Sequence, residues 1–274
     1  MTDELLFFGV AEPVWRLAAF AAAFAALAVL ELLHPRLERP ELMRMLKARR
    51  WATNLAILVA SSMLLRIAFP AAAVGVAIWA EARGIGVLPG FGVSPFLAGI
   101  IAFVALDFAV WLEHVVFHKV PLLWRAHRVH HSDPGVDVTT ALRFHPLEIL
   151  ISMAWKGLVI ILLGAPALAV LIFEIVLNVC AMFNHANLRL SRRADRLLRR
   201  LIVTPDMHRI HHSVESGETN SNYGFNLSIW DRLFATYIAH PASGDDAIET
   251  GLKAYGRLDP TKLVWSLILP FRRK

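Results

Sequence analysis

Long apolar runs separated by short charged segments dominate the chain. Residues 17–30 and residues 84–106 carry no charge, and residues 51–80 carry a single one, at Arg66. A helix that crosses a membrane needs about 20 mostly apolar residues. The pattern therefore predicts three membrane spans, and we expect Pro70 to kink the second because proline cannot donate a helical hydrogen bond.

Apolar sequence continues between Lys156 and Glu174 and again from Ile175 to Leu188. The turn-forming segment Gly164-Ala165-Pro166 indicates a helical hairpin here, either spanning or re-entrant. The predicted fold class is an all-α integral membrane protein with about four transmembrane helices.

Composition agrees with a membrane protein, because 57% of the residues are hydrophobic and only 18% are charged. The 28 Lys and Arg exceed the 22 Asp and Glu, which gives a net charge of +6. These basic residues lie beside apolar runs rather than on a soluble face, which argues against a nucleic-acid partner. A single cysteine, Cys180, excludes a disulfide framework and a cysteine-ligated zinc or iron–sulfur centre built within this chain.

The basic residues also predict orientation, because short loops rich in Lys and Arg stay on the cytoplasmic side. Residues 81–95 hold only Arg83, and the N-terminus opens with Asp3 and Glu4. Six basic residues follow the first span: Arg36, Arg39, Arg44, Lys47, Arg49 and Arg50. We therefore expect the N-terminus outside and a helical cap on the cytoplasmic face.

Ten of the twelve histidines fall between residues 114 and 212, in segments assigned to that face. Three clusters stand out: His114-x-x-x-His118, His127-x-x-His130-His131 and His208-x-x-His211-His212. Residues three and four apart share one face of a helix, so each cluster can present imidazoles to a common point. One H-x-x-H-H pattern is expected by chance on the order of 0.02 times in such a chain, and this chain has two.

Convergent neutral imidazoles are metal ligands, and eight or more are too many for one zinc ion. Two metal ions sharing the set is the economical interpretation. Imidazole suits iron, copper and zinc alike. Chemistry at a membrane surface without a haem-binding or flavin-binding motif favours two iron ions.

The order of these motifs around a pair of apolar segments resembles the fatty acid hydroxylase / sterol desaturase family of integral membrane di-iron oxygenases. The resemblance covers about residues 100–240. Matching segments are Asp107-x-x-x-Trp111-x-x-His114, Leu123-Trp124-x-x-His127, His131-Ser132, Arg143-x-His145-Pro146, Phe183-Asn184-His185-x-Asn187, Asn222-Tyr223-Gly224 and Asp231-x-x-Phe234-x-Thr236.

The resemblance implies activation of O₂ at two iron ions, with zinc as a substitute metal, and oxidation of a C–H bond of a sterol-like or fatty acyl lipid. Hydroxylation is favoured over desaturation. The resemblance divides the chain into N-terminal transmembrane helices (1–95), a catalytic domain (96–240) and a C-terminal tail (241–274). Without a nucleotide-binding or cysteine-cluster motif, the chain is expected to take electrons from a separate ferredoxin or cytochrome-type protein.

The match also implies the site residues. The expected catalytic ligand core is His114, His118, His127, His130, His131, His208, His211 and His212. His185 matches a further ligand position, and His145 is another ligand, a residue behind the ligands or a helix-entry residue. Asp107, Asn187 and Glu174 are expected to support the ligands, whereas Glu148 is explained by the dipole of the helix that it begins.

Two other classes of function stay open. The chain could be a membrane zinc-binding or metal-transport protein without oxygenase activity, although transport would favour polar residues distributed along the spans. It could also retain an oxygenase fold as an inactive lipid-binding protein. The arginine run at 189–200 is explained by a solvated cytoplasmic loop, with anionic lipid or an acidic electron donor as alternative contacts.

Overall fold

The computed structural model describes residues 6–7, 9–38 and 41–272 of the chain. Asp3, Glu4 and Arg39, which entered the orientation argument, lie outside these residues. Two short strands, β1 (Leu6–Phe7) and β2 (Val10–Ala11), form an antiparallel pair before the first helix. The helices are α1 (Glu12–Leu33), α2 (Glu41–Met45), α3 (Lys47–Ala68), α4 (Ala72–Glu81), α5 (Val87–Gly90), α6 (Pro95–Lys119), α7 (Pro121–His131), α8 (Pro146–Leu163), α9 (Ala167–His185), α10 (Arg192–Leu198), α11 (Pro205–His211), α12 (Ser216–Thr219), α13 (Ile229–Leu233) and α14 (Leu263–Ile268), with 3₁₀ turns at Val138–Leu142, Asp259–Thr261 and Leu269–Phe271.

Within the described residues, five helical segments are long and apolar enough to cross a membrane. They are Glu12–Leu33, Lys47–Glu81, Pro95–Lys119, Pro146–Leu163 and Ala167–His185. The prediction of a helical, multi-pass membrane protein is therefore confirmed, with one segment more than the four or so expected.

The second span is broken next to Pro70, where the sequence predicts a kink. Helix α3 ends at Ala68, and α4 begins at Ala72, which has a positive φ of 50°. The end of α4 meets the start of α9, because the Ala167 amide donates to the Glu81 carboxylate at 3.3 Å. Helices α3 and α4 together therefore extend along the bundle to the end where α9 starts.

The hairpin predicted at Gly164 is present. Gly164 ends α8 in the left-handed conformation with φ 65°, which glycine adopts without a Cβ penalty, and α9 starts immediately after Pro166. Helix α8 also runs antiparallel to α6, since Trp155 donates to the Ala109 carbonyl and Ser152 to Glu113. The main apolar core lies between α4, α6, α8 and α9.

The segments 120–145 and 186–272, which we call the cap, close one end of this bundle. A buried ion cluster joins the cap to α3: Arg50 contacts Asp133 through two hydrogen bonds of 2.7 and 2.9 Å and reaches Asp137 at 3.0 Å. Arg50, which was counted among the basic residues that follow the first span, lies in α3, where its side chain is 3% exposed and neutralises two buried carboxylates.

A second buried arginine and the C-terminal segment hold the cap together. Arg143 donates to the Val129 carbonyl, to Asn54 and to Ser266, and so ties α7, α3 and α14 to one side chain. Arg128, in α7, donates to the carbonyl of Leu269 at 2.6 Å. These contacts fix the helix that carries three of the site histidines.

Candidate metal centre

Nine histidines of the cap and the adjoining helix ends converge in two groups whose ring nitrogens lie within 4.8 Å of one another. One group contains five imidazoles: His114, His118, His127, His131 and His211. The other contains four: His130, His185, His208 and His212. The two groups adjoin, since the rings of His131 and His212 stack with centroids 4.5 Å apart.

Each H-x-x-H-H motif contributes to both groups, and helix geometry gives the reason. In a helix, successive residues are rotated by about 100°, so residues i and i+4 are about 40° apart, whereas i+3 lies about 60° to the opposite side of i. In α7, His127 and His131 accordingly enter the group of five and His130 the group of four. In the motif of α11, His208 and His212 enter the group of four and His211 enters the group of five.

The spacing of the ring nitrogens fits metal coordination. The Nε2 atom of His127 is 3.0 Å from that of His114 and 3.1 Å from that of His131. In the other group, the Nε2 atom of His185 lies 3.1 to 3.2 Å from the Nε2 atoms of His130, His208 and His212. The Nε2 atoms of His118 and His211 are buried and have no hydrogen-bond partner among the described residues. A metal ion would satisfy these converging lone pairs.

Burial keeps the cap imidazoles neutral, as ligands must be. It lowers the pKa of His127 to about 3. Burial first, and neighbouring imidazoles second, also hold the pKa values of the other cap histidines in the site well below the usual range: His130, His131, His208, His211 and His212.

In the group of five, three imidazoles are oriented by a contact to the second ring nitrogen. His127 Nδ1 donates to the Glu148 carboxylate at 2.5 Å. His114 Nδ1 donates to the Tyr223 carbonyl and His211 Nδ1 to the Ser221 carbonyl, both at 2.7 Å. Such contacts fix the tautomer and the ring orientation of a ligand.

The group of four has fewer such contacts. His185 Nδ1 donates to the Ala181 carbonyl at 2.6 Å. The Nδ1 atoms of His130, His208 and His212 are buried without a hydrogen-bond partner among the described residues. The surrounding protein therefore orients the two groups unequally.

One buried carboxylate, Asp231, positions the segment that supplies the two carbonyl acceptors. It accepts hydrogen bonds from the backbone amides of Tyr223 and Gly224, both at 2.9 Å. It also accepts from the side chains of Trp111 at 3.1 Å and Thr236 at 2.7 Å. Asp231 thus binds residues from several separate sequence motifs. The sequence alone did not indicate that Asp231 supports the ligands.

His145 does not join the ligands, so its inclusion among the metal ligands is corrected here. Its Nδ1 accepts the amide of Leu147 and caps α8, while its Nε2 donates to the Leu267 carbonyl at 3.1 Å. Both ring nitrogens are thereby occupied, which leaves none for a metal.

The three residues expected to support the ligands have other contacts. Asp107 accepts from Trp230 at 2.7 Å, and Asn187 bonds the backbone of Leu37 beyond α1. Glu174 binds Lys156 at 2.6 Å, part-way along the membrane helices. None of the three has a hydrogen bond to a site histidine within the described part of the chain.

Glu148 takes the role that had been expected of Asp107. The helix-dipole explanation of Glu148 was incomplete, because this residue is 5% exposed and its side chain binds His127 directly. Its position in the first turn of α8, three residues after the capping His145, was the available signal. Sequence spacing could not show that α8 begins beside α7.

A cavity of about 600 Å³ extends from the site into the membrane helices. At the site end it touches His114 and His127, together with Phe117, Phe144 and Phe225. At the other end it reaches Arg16, Lys156 and Glu174. A lipid in this cavity would lie against the group of five histidines.

Comparisons with known proteins agree with this architecture. A family model described as fatty acid hydroxylase matches residues 99–236. Ornithine lipid hydroxylase OlsE of Rhizobium tropici is 34% identical over 177 residues, which cover 64% of this chain and 50% of that protein. Alkylglycerol monooxygenase of Homo sapiens is 28% identical over 143 residues, covering 50% of this chain and 30% of that protein, and the Danio rerio protein is 29% identical over 170 residues, covering 61% and 35%.

The chain spans half or less of the length of these curated relatives. No solved structure matches it. The family match covers half of the chain and includes all nine converging histidines. This chain belongs to the fatty acid hydroxylase family.

Proposed function

We propose that the protein is a membrane-bound oxidoreductase that uses O₂ and two iron ions to hydroxylate a C–H bond of a lipid. The observation that carries the proposal is the convergence of nine imidazoles at one end of the membrane helices, where two of them, His114 and His127, line a cavity that extends between those helices. Bound iron would supply the reductive activation of O₂. Lipid oxidation is supported by relatives named for ornithine lipid and for alkylglycerol.

The number of ligands favours iron over zinc. A group of five histidines exceeds the four ligands of a structural zinc site.

The protein's own residues would hold and shield the reacting centre. Glu148 and the carbonyls of Ser221 and Tyr223 keep three imidazoles in fixed tautomers. The aromatic rings of Phe144 and Phe225 line the cavity beside the histidines and limit access of water. The carbon to be oxidised would lie against this wall.

Hydroxylation inserts one oxygen atom of O₂ and reduces the other to water, which takes two electrons and two protons. We propose that a separate electron-transfer protein supplies the electrons at the cap, on the cytoplasmic side. The basic residues after the first span support this orientation, with the N-terminus outside.

The test is oxidation of lipid by the purified, iron-loaded protein with a ferredoxin or cytochrome donor and isotope-labelled O₂. We expect two irons per chain, labelled hydroxyl lipid when the donor is present, and none when it is omitted. Tight binding of zinc without any oxidation would support the metal-binding alternative. Turnover with a nicotinamide cofactor alone would contradict the need for a separate donor.

A further inference from the structure

The wall of the cavity carries a polar stripe inside the membrane. Glu148, Ser152 and Lys156 are four residues apart in α8, so they share one helix face, and all three line the cavity. Charged side chains in a membrane helix are costly unless they face protein or a polar ligand. A purely hydrocarbon substrate would offer no hydrogen bond to the oxygens of this stripe that lack a partner.

The stripe continues onto α6 through Glu113, which also lines the cavity. Ser152 donates to one oxygen of Glu113 at 3.2 Å, but Glu113 Oε1 is buried and has no hydrogen-bond partner among the described residues. Glu148 Oε2 is likewise buried without a hydrogen-bond partner among the described residues, and the residue is 5% exposed. Two carboxylate oxygens of residues that line the cavity, one of them on the side chain that binds His127, therefore lack a hydrogen-bond donor.

These two carboxylates differ from the one at the far end of the cavity. Glu174 is neutralised by Lys156 at 2.6 Å and by Arg16 at 3.4 Å. Within the described residues, neither Glu113 nor Glu148 has a salt bridge to lysine or arginine. The site end of the cavity thus has unmatched acceptors, while its far end is already paired.

We infer that Glu113 and Glu148 receive the ammonium group of an amine-bearing lipid. An ammonium offers three N–H donors and a positive charge, which together satisfy both free oxygens and offset the cost of burying carboxylates. A neutral hydroxyl offers one donor and no charge, and a phosphate would be repelled. The inference rests on the proposed function to the extent that the cavity is the substrate site.

This placement also locates the carbon to be oxidised. Glu148 contacts His127, so an amine held by Glu148 lies next to the metal centre. The C–H bonds close to the amine, rather than the end of the acyl chain, then face the histidines. Of the two lipid classes named above, the ornithine lipid offers an ammonium group to Glu113 and Glu148, and the neutral alkylglycerol does not.

The experiment measures binding separately from oxidation. Iron-loaded full-length protein in lipid nanodiscs is kept without O₂ and titrated with an ornithine lipid, its N-acetylated form and an alkylglycerol of equal chain length. The free amine should bind about ten- to hundredfold more tightly than the N-acetylated lipid, as a charge-assisted contact predicts. Equal affinity of the two forms, or no binding of the ornithine lipid, would overturn the inference.

The variant is Glu113→Gln, which keeps the side-chain shape and an acceptor for Ser152 but removes the charge without touching a ligand imidazole. It should erase the preference for the amine and leave iron content unchanged. Glu81→Gln, another carboxylate of the membrane helices that lies outside the cavity, should keep the preference. An unchanged preference in Glu113→Gln would overturn the inference.

Adding O₂ and the electron donor then separates the two proposals. An amine preference that depends on Glu113 without any oxidation would leave the binding inference standing and contradict the proposed function. Oxidation of the N-acetylated lipid and the ornithine lipid with equal KM would support the proposed function and contradict the binding inference.

Discussion

His127 donates its Nδ1 hydrogen to Glu148 at 2.5 Å, so that a carboxylate at the start of α8 orients an imidazole of α7. The hydrogen bond leaves Nε2 of His127 as the lone-pair nitrogen, and this atom is the one that lies 3.0 Å from His114 Nε2. The carboxylate therefore selects the tautomer that can bind a metal. It also raises the basicity of the ligand.

Replacing Glu148 by glutamine should weaken metal binding. Glutamine keeps the shape but removes the charge that polarises His127, and loss of such a contact costs about 10- to 100-fold in metal affinity. Competition with a chelator, followed by iron analysis, measures the change. Glu174→Gln is the matched control, because that cavity carboxylate contacts Lys156 and Arg16 rather than an imidazole. Equal losses in both variants would contradict the assigned role.

Substitutions at His145 and His185 should have different effects on the metal content of the protein. Asparagine at position 145 is a good helix cap and replaces the contact to the Leu147 amide, so we expect His145→Asn to retain both metal ions. His185→Ala removes the ligand to which three other imidazoles converge, and iron should fall to about one ion per chain. A metal deficit in His145→Asn would return this residue to the ligand set.

Asp231→Asn should destabilise the cap and misplace two ligands. The amide nitrogen of asparagine would face a backbone or side-chain donor in place of an acceptor oxygen, and disrupting a buried network of this kind costs about 2–4 kcal/mol. Because Asp231 holds Tyr223, whose carbonyl accepts from His114, metal affinity should fall with stability. Thermal unfolding with and without added iron measures both effects. An unchanged melting temperature would contradict this role.

The buried pair of Arg50 and Asp133 should be strongly coupled. Removing one partner leaves an uncompensated buried charge, so Arg50→Met and Asp133→Asn should each cost about 3–5 kcal/mol. The double variant should cost less than the sum of the two. Denaturant unfolding in detergent gives the three free energies.

The control for this pair is Lys253→Met. It breaks a salt bridge whose side chains are 63% and 57% exposed, and it should cost less than about 1 kcal/mol. Additive losses at Arg50 and Asp133 would show that the pair is not coupled.

The helices and their histidines could be predicted from the sequence because both signals are local. An apolar run long enough to cross a membrane can be recognised without knowing which helices pack against it. The same holds for an H-x-x-H-H pattern on one helix face. The turn at Gly164 and the break beside Pro70 likewise follow from the conformations of single residues. The burial of Arg50 could not be predicted, because its partners, Asp133 and Asp137, are more than 80 residues away in the chain.

By itself, the sequence determined the membrane helices, the gathering of the histidine motifs at one end and the residue types that could hold metal. The tertiary structure alone decided how nine of ten histidines divide into two groups, because the neighbouring helices determine which group the imidazoles on each side of a helix enter. It also replaced Asp107 by Glu148 as the carboxylate behind a ligand. Which side chains meet across helices depends on packing between distant segments, and spacing along one segment does not encode that packing.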